Sequence, residues 1–130
     1  TKGGVVEVYS KRALANPIRV LEGAELKPGD TLRFRHRGEH RAHILVIEQD
    51  SAGSLTVFAP FGGAHSVVVS GDDFLPDAVA LDGTLGKSSL FIIHSATQFE
   101  LAPLMEDLRA SRQPQCQGCT VDLFHFEKVP

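Results

Sequence analysis

The chain has 130 residues, enough for one domain with a hydrophobic core, and its 42% apolar and 22% charged residues argue against disorder over the whole length. The formal charge of −3 gives no global attraction to nucleic acid or to an anionic membrane surface. No apolar run approaches the roughly 18–20 residues that a membrane span needs. Because the first residue is Thr1 and not Met, the chain is expected to be an excised fragment, and a missing targeting segment carries no information about compartment.

In chain order, "TKGG" (Thr1–Gly4) reads as a linker, and "VVEVYSKR" (Val5–Arg12) as a strand rich in β-branched residues and tyrosine. "IRVL" is a short strand with Pro17 at its edge, and "KPGD" is a turn in which Pro28 presets φ and Gly29 can take a positive φ. "TLRFRH" alternates strictly, with Leu32 and Phe34 on one face and Arg33 and Arg35 on the other. Gly38 interrupts that pattern, so the link to the next strand reads as a hairpin tip. "AHILVIEQD" is apolar on both faces beyond His43, which suits a central strand of a sandwich. With the "DSAG" turn and "SLTVFAP" it forms a β-hairpin.

"FGGAHS" is a loop, "HSVVVSG" a short strand, and "DDFLPDAVALDGTLG" a turn-rich stretch anchored by Leu75, Val79 and Leu81. "SSLFIIHSA" is a further buried strand. In "TQFELAPLMEDLRASR" Pro103 suits the first turn of a helix, on which Leu104, Met105 and Leu108 share a face while Glu106, Asp107 and Arg109 point outward. "QPQCQGC" is a loop, and "TVDLFHFEKV" is a last strand. Regular short strands, frequent turns and one late helix predict a mainly β fold. The expected architecture is an antiparallel sandwich over residues 1–130, with one short helix near the C-terminus, between the last two strands.

The chemistry concentrates in "RHRGEHRAH" (Arg35–His43), which holds three of the six histidines. His36, His40 and His43 offer imidazole ligands for zinc or copper, but H-x3-H converges readily only on a helix, and no acidic or cysteine ligand stands at a motif spacing. Arg33, Arg35, Arg37 and Arg41 face Glu39 alone, and the first three fall in one row of an outward strand face. Such a row suits a phosphate, an acidic glycan or an acidic partner, although charges on a strand edge also serve simply to block aggregation. Cys116 and Cys119 in "CQGC" are open to a short bridge, two free thiols or half a zinc site. A redox pair of the thioredoxin type would sit at a helix N-terminus, whereas this pair precedes a strand.

"DGTLGKSS" lacks the spacing of a phosphate loop, and "GDD" is not followed by a calcium-loop pattern. No serine stands in a G-x-S-x-G elbow, and His94, at the end of a buried strand beside Ser95, reads as structural.

The stretches "EVYSKR", "LKPGDTLRFRH", "HILVIEQDSAGSLTVFAP", "LPDAVALDGTLGKSSLFIIHSATQFELAPL" and "GCTVDLFHFEK" together span nearly the whole chain. They resemble a family of β-sandwich domains found at the extracytoplasmic C-terminus of bacterial anti-sigma-factor-like and other membrane-anchored regulators. The resemblance implies a non-enzymatic sensing or binding module, periplasmic or otherwise outside the cytoplasmic membrane, whose membrane anchor lies in a segment outside this chain. It supplies no catalytic residues. Cys119 matches the family pattern, whereas Cys116 and the histidine-rich tip depart from it.

The expected site is therefore the basic tip, with Arg35, Arg37 and Arg41 pairing an anionic small molecule, glycan or protein and His40 tuning affinity with pH. No cofactor and no nucleic-acid partner is expected. The alternative is a metal-binding protein or metal-dependent hydrolase built on His36, His40 and His43, with Cys116 and Cys119 as further donors.

Overall fold

A computed structural model describes residues 5–130 of the chain, so the linker read at Thr1–Gly4 lies outside the described residues. The elements are β1 (Val6–Lys11), β2 (Ile18–Val20), β3 (Ala24–Leu26), β4 (Thr31–His36), β5 (Arg41–Gln49), β6 (Leu55–Ala59), β7 (Val67–Ser70), β8 (Asp73–Ala80), β9 (Gly86–Ser95), α1 (Ala102–Arg109) and β10 (Thr120–Lys128). They form a four-stranded sheet in the order β2-β1-β4-β8 and a six-stranded sheet in the order β3-β10-β9-β5-β6, with β7 paired to β5 as well. The fold is the expected mainly β, sandwich-like one with a single short helix, which lies between the last two strands.

Side-chain alternation builds two cores. Val6, Val8, Leu32, Phe34, Leu75 and Val79 of the smaller sheet meet Ile44, Val46, Leu90, Ile92 and Phe126 of the larger. The opposite face of the larger sheet carries Leu45, Ile47, Phe91 and Ile93, and α1 covers it with Leu104, Met105 and Leu108. That is why β5 is apolar on both faces. An isolated eight-residue helix is unstable in water. Each large side chain α1 buries on this face contributes about 1.5–3 kcal/mol, which holds it in place.

Local turn chemistry sets the strand ends. Gly29 sits at φ +89° in the "KPGD" turn, whose Asp30 carboxylate accepts the Lys27 amide at 2.9 Å and the Arg12 guanidinium at 2.8 Å. Asp50 accepts the amides of Ala52 and Ser54, each at 2.9 Å, and so closes the β5–β6 hairpin.

Three expectations need correction. The stretch read as turn-rich contains the eight-residue strand β8. Its Pro76 is tolerated because β8 is an edge strand, and the pairing with β4 shifts register between Arg33 and Arg35 just where Pro76 lies. The three-residue β3 pairs parallel with β10, so the sandwich is not wholly antiparallel. Finally, "RHRGEHRAH" is not a hairpin tip: β4 and β5 belong to different sheets, and residues 37–40 carry the chain from one layer to the other. A polar link with a glycine serves a corner between sheets as well as it serves a hairpin.

Candidate functional site

The corner leaves a cleft of about 320 Å³ between the two sheets at that end of the sandwich. Four elements line it: the end of β4 (His36) with the corner (Arg37, Gly38, Glu39, His40), the start of β5 (Arg41, Ala42), the end of β9 (His94) and the start of β10 (Thr120).

His36 points between the sheets, in the parity of Leu32 and Phe34, and is buried. Its Nδ1 lies 2.7 Å from the Gly71 carbonyl oxygen. A carbonyl only accepts, so Nδ1 carries the hydrogen and Nε2 the lone pair. Gly38 lies against that ring: a Cβ there would stand 3.2 Å from His36 Cε1. His94 shares the inward parity of Ile92, and its Nε2 lies 3.2 Å from the Asp122 carboxylate. The carboxylate holds Nε2 as donor and leaves Nδ1 open. The cleft thus has two imidazoles of fixed orientation, each with one nitrogen still free of a protein partner among the described residues.

Arg37 extends the β4–β1 pairing by one residue, its amide donating to the Val5 carbonyl at 2.7 Å. Its guanidinium reaches Asp72 at 2.9 Å and Glu7 at 3.5 Å. Arg41 and His40 have no carboxylate partner among the described residues.

The four residues of the expected site therefore divide. Arg37, His40 and Arg41 line the cleft, but Arg35 does not reach it at all, and the Arg37 guanidinium is held, like that of Arg35, by Asp72 on the outer face of the smaller sheet. There Arg35 pairs with Asp72 at 2.9 Å, and the Arg33 and Arg35 guanidinium groups lie 4.7 and 5.6 Å from the centre of the Phe74 ring. The hydrogen bond from Arg35 holds the Asp72 carboxyl below its usual range. The outward row of arginines is real, but internal carboxylates partly neutralise it.

The metal alternative is not supported by this geometry. His36 faces between the sheets, while His43 stands on the opposite face of β5, in the row of Leu45 and Ile47, with Nδ1 buried and without a hydrogen-bond partner. Among the described residues no three His, Cys, Asp or Glu side chains converge as a metal site. Cys116 and Cys119 are joined to each other as a disulfide.

Sequence reasoning missed His94 as a cleft residue and Asp122 as the carboxylate that orients it. The β9–β10 register sets Ile92 against Asp122 and His94 against Thr120, and that register brings the two together. The available signal was parity, since both sit at core-facing positions at the ends of otherwise apolar strands.

The other end of the sandwich is closed by a different polar group. The Lys128 Nζ lies between Glu48 at 3.4 Å and Asp82 at 2.7 Å, and Ser88 Oγ donates to Glu48 at 3.0 Å. Burial pushes the Glu48 carboxyl up, opposed by Lys128. For Lys128 burial acts downward, but its bond to Asp82 and the charge of Glu48 outweigh it, and its pKa is raised.

No family model, curated protein or solved structure matches this chain.

Proposed function

We propose that this domain is a non-catalytic binding module that takes an anionic group of a small molecule, glycan or protein into the cleft between its sheets. The carrying observation is that Arg41, His36, His40 and His94 line one cleft, where they outnumber its one lining carboxylate, Glu39, while Arg37 beside them is already paired with Asp72 and Glu7. Arginines supply directed donors to phosphate and carboxylate, and each oriented imidazole gains a second donor when it takes up a proton. The non-catalytic reading is supported by Ser95: no hydrogen bond joins its hydroxyl to either imidazole of the cleft among the described residues, and its Oγ accepts the Thr97 amide at 3.2 Å.

The Cys116–Cys119 bridge supports an oxidising setting, in keeping with an extracytoplasmic sensory part of an anti-sigma-like regulator. Inorganic phosphate is the simplest probe. Titrated into the labelled protein at pH 6, it is expected to move the amide resonances of residues 37–42 and of His94. In the double variant Arg41→Ala, His40→Ala those shifts should be lost while the spectrum stays folded. Phosphate shifts that persist unchanged in the variant, or that never appear in the native chain, would refute the reading.

A further inference from the structure

We propose that Cys116–Cys119 is a thiol–disulfide exchange site whose oxidation state sets whether the cleft is formed; this rests on the cleft being the binding site. The bridge itself packs on the core beneath α1, but it adjoins the wall of that cleft. Gly118 and Thr120, the two neighbours of Cys119, both line it, and Thr120 is the β10 residue set against His94. Whatever opens the turn at Cys119 moves Gly118 and loosens the first pair of the β9–β10 ladder at Thr120.

Thr120 is also held by the pairing of β10 with β9, so the part of the wall that depends most on the bridge is the turn with Gly118. The four residues Cys116–Cys119 form a β-turn, with the Cys119 amide donating to the Cys116 carbonyl at 3.1 Å and the two Cα atoms 5.3 Å apart. Gly118 takes φ +76°, a conformation glycine adopts freely and leaves as freely. Upstream, the segment is tied by Asp107, which accepts from Arg112 at 3.1 Å and from the Gln115 amide at 3.1 Å. These bonds hold the start of the loop and not its turn. Both cysteines are partly exposed, within reach of a reductant, and their inner sides pack on the core beneath α1.

The reactant is a dithiol. One of its thiolates attacks a bridge sulfur, the Cys116–Cys119 bond breaks, and a mixed disulfide forms. The second thiol of the reductant then closes its own disulfide and releases the other cysteine. Two electrons and two protons pass to the bridge, which becomes two thiols, and the reductant is oxidised by the same amount. Two thiol sulfurs cannot remain at bonding distance. They part, and the turn that carries Gly118 opens next to Thr120 at the start of β10.

The expected effect is a loss of preorganisation: one or two wall residues must then be ordered on binding, which weakens phosphate by about three- to tenfold. The test compares oxidised protein, protein reduced with a dithiol, reoxidised protein and the variant Cys116→Ser, Cys119→Ser. Phosphate affinity is read from the amide shifts of residues 37–42, and hydrogen exchange is read at Gly118 and Thr120. Faster exchange and weaker phosphate on reduction, reversed by reoxidation and reproduced by the variant, is the expected result. Equal affinity and equal exchange in both states overturns the gating and leaves the cleft standing. Faster exchange without phosphate binding in any state overturns both the gating and the cleft as a binding site. Should the variant unfold, the oxidised–reduced–reoxidised cycle on the native chain decides alone.

Discussion

The two ends of the sandwich place polar side chains between the same two sheets and treat them differently. At the closed end Lys128, Glu48, Ser88 and Asp82 satisfy one another. At the open end His36 and His94 each spend one nitrogen on the protein, at the Gly71 carbonyl and Asp122, and keep the other free among the described residues. A buried polar group that is fully paired contributes to specifying the fold, whereas one left half-paired beside a cleft has bonding capacity for something else. The contrast separates a structural network from a candidate binding site without appeal to residue type, since charged groups occur at both.

The closed end breaks with the largest effect. Lys128→Ala leaves Glu48 buried without its cation and should cost about 3–5 kcal/mol, read by denaturant unfolding. The pair Glu48→Leu, Lys128→Met should recover most of that loss, because it removes both charges and fills the space. At the open end the pattern reverses. His94→Ala should change unfolding by about 1 kcal/mol yet weaken phosphate about tenfold, the loss of one charge-assisted hydrogen bond, measured by the same amide shifts. If His94→Ala instead unfolds the chain and leaves phosphate binding intact in the folded remainder, the two ends are alike and the comparison fails.

The smallest effect concerns acid. The Arg12 hydrogen bond holds the Asp30 carboxyl below its usual range, so the pair stabilises the fold above the unfolded carboxyl value, about pH 4, and that stability is lost as pH falls toward the folded value. Asp30→Asn should therefore flatten the acid limb of the stability curve. Glu48 acts in the opposite sense: its raised pKa means that its contribution falls as pH rises. The native curve is expected to bend both ways; Asp30→Asn should weaken the acid bend, to which Asp72 and Asp82 also contribute, and Glu48→Leu with Lys128→Met should remove the opposite one.

Much of the scaffold could be read from residue patterns. The two-faced run Ile44–Ile47 announces a strand between two cores, and Leu104, Met105 and Leu108 announce the helix face that covers one of them. Pro76 concealed β8, because a proline disqualifies a central strand but not a bulged edge. β3, with three residues, carries no periodicity at all. The site was half legible. Arg37, His40 and Arg41 lie close together in the sequence, and their local density pointed to them. His94 reaches the cleft, and Asp122 reaches His94, through strand pairing that no local pattern encodes, and Arg35 leaves it because strand alternation sends it to the other face.

Consider last what a strand with two apolar faces gives up. Hydrophobic alternation normally fixes strand register, because a slip of one residue turns the oily side to water. Ile44, Leu45, Val46 and Ile47 carry no such penalty, since either set would suit either core. In β5 the discriminating residue is Glu48: a one-residue slip would carry its carboxylate away from Lys128 and Ser88 to the apolar face beneath α1, and leave Lys128 with Asp82 alone. The ion pair at the closed end thus acts as an indexing mark for the central strand, and through β5 it sets which side chains reach the open end.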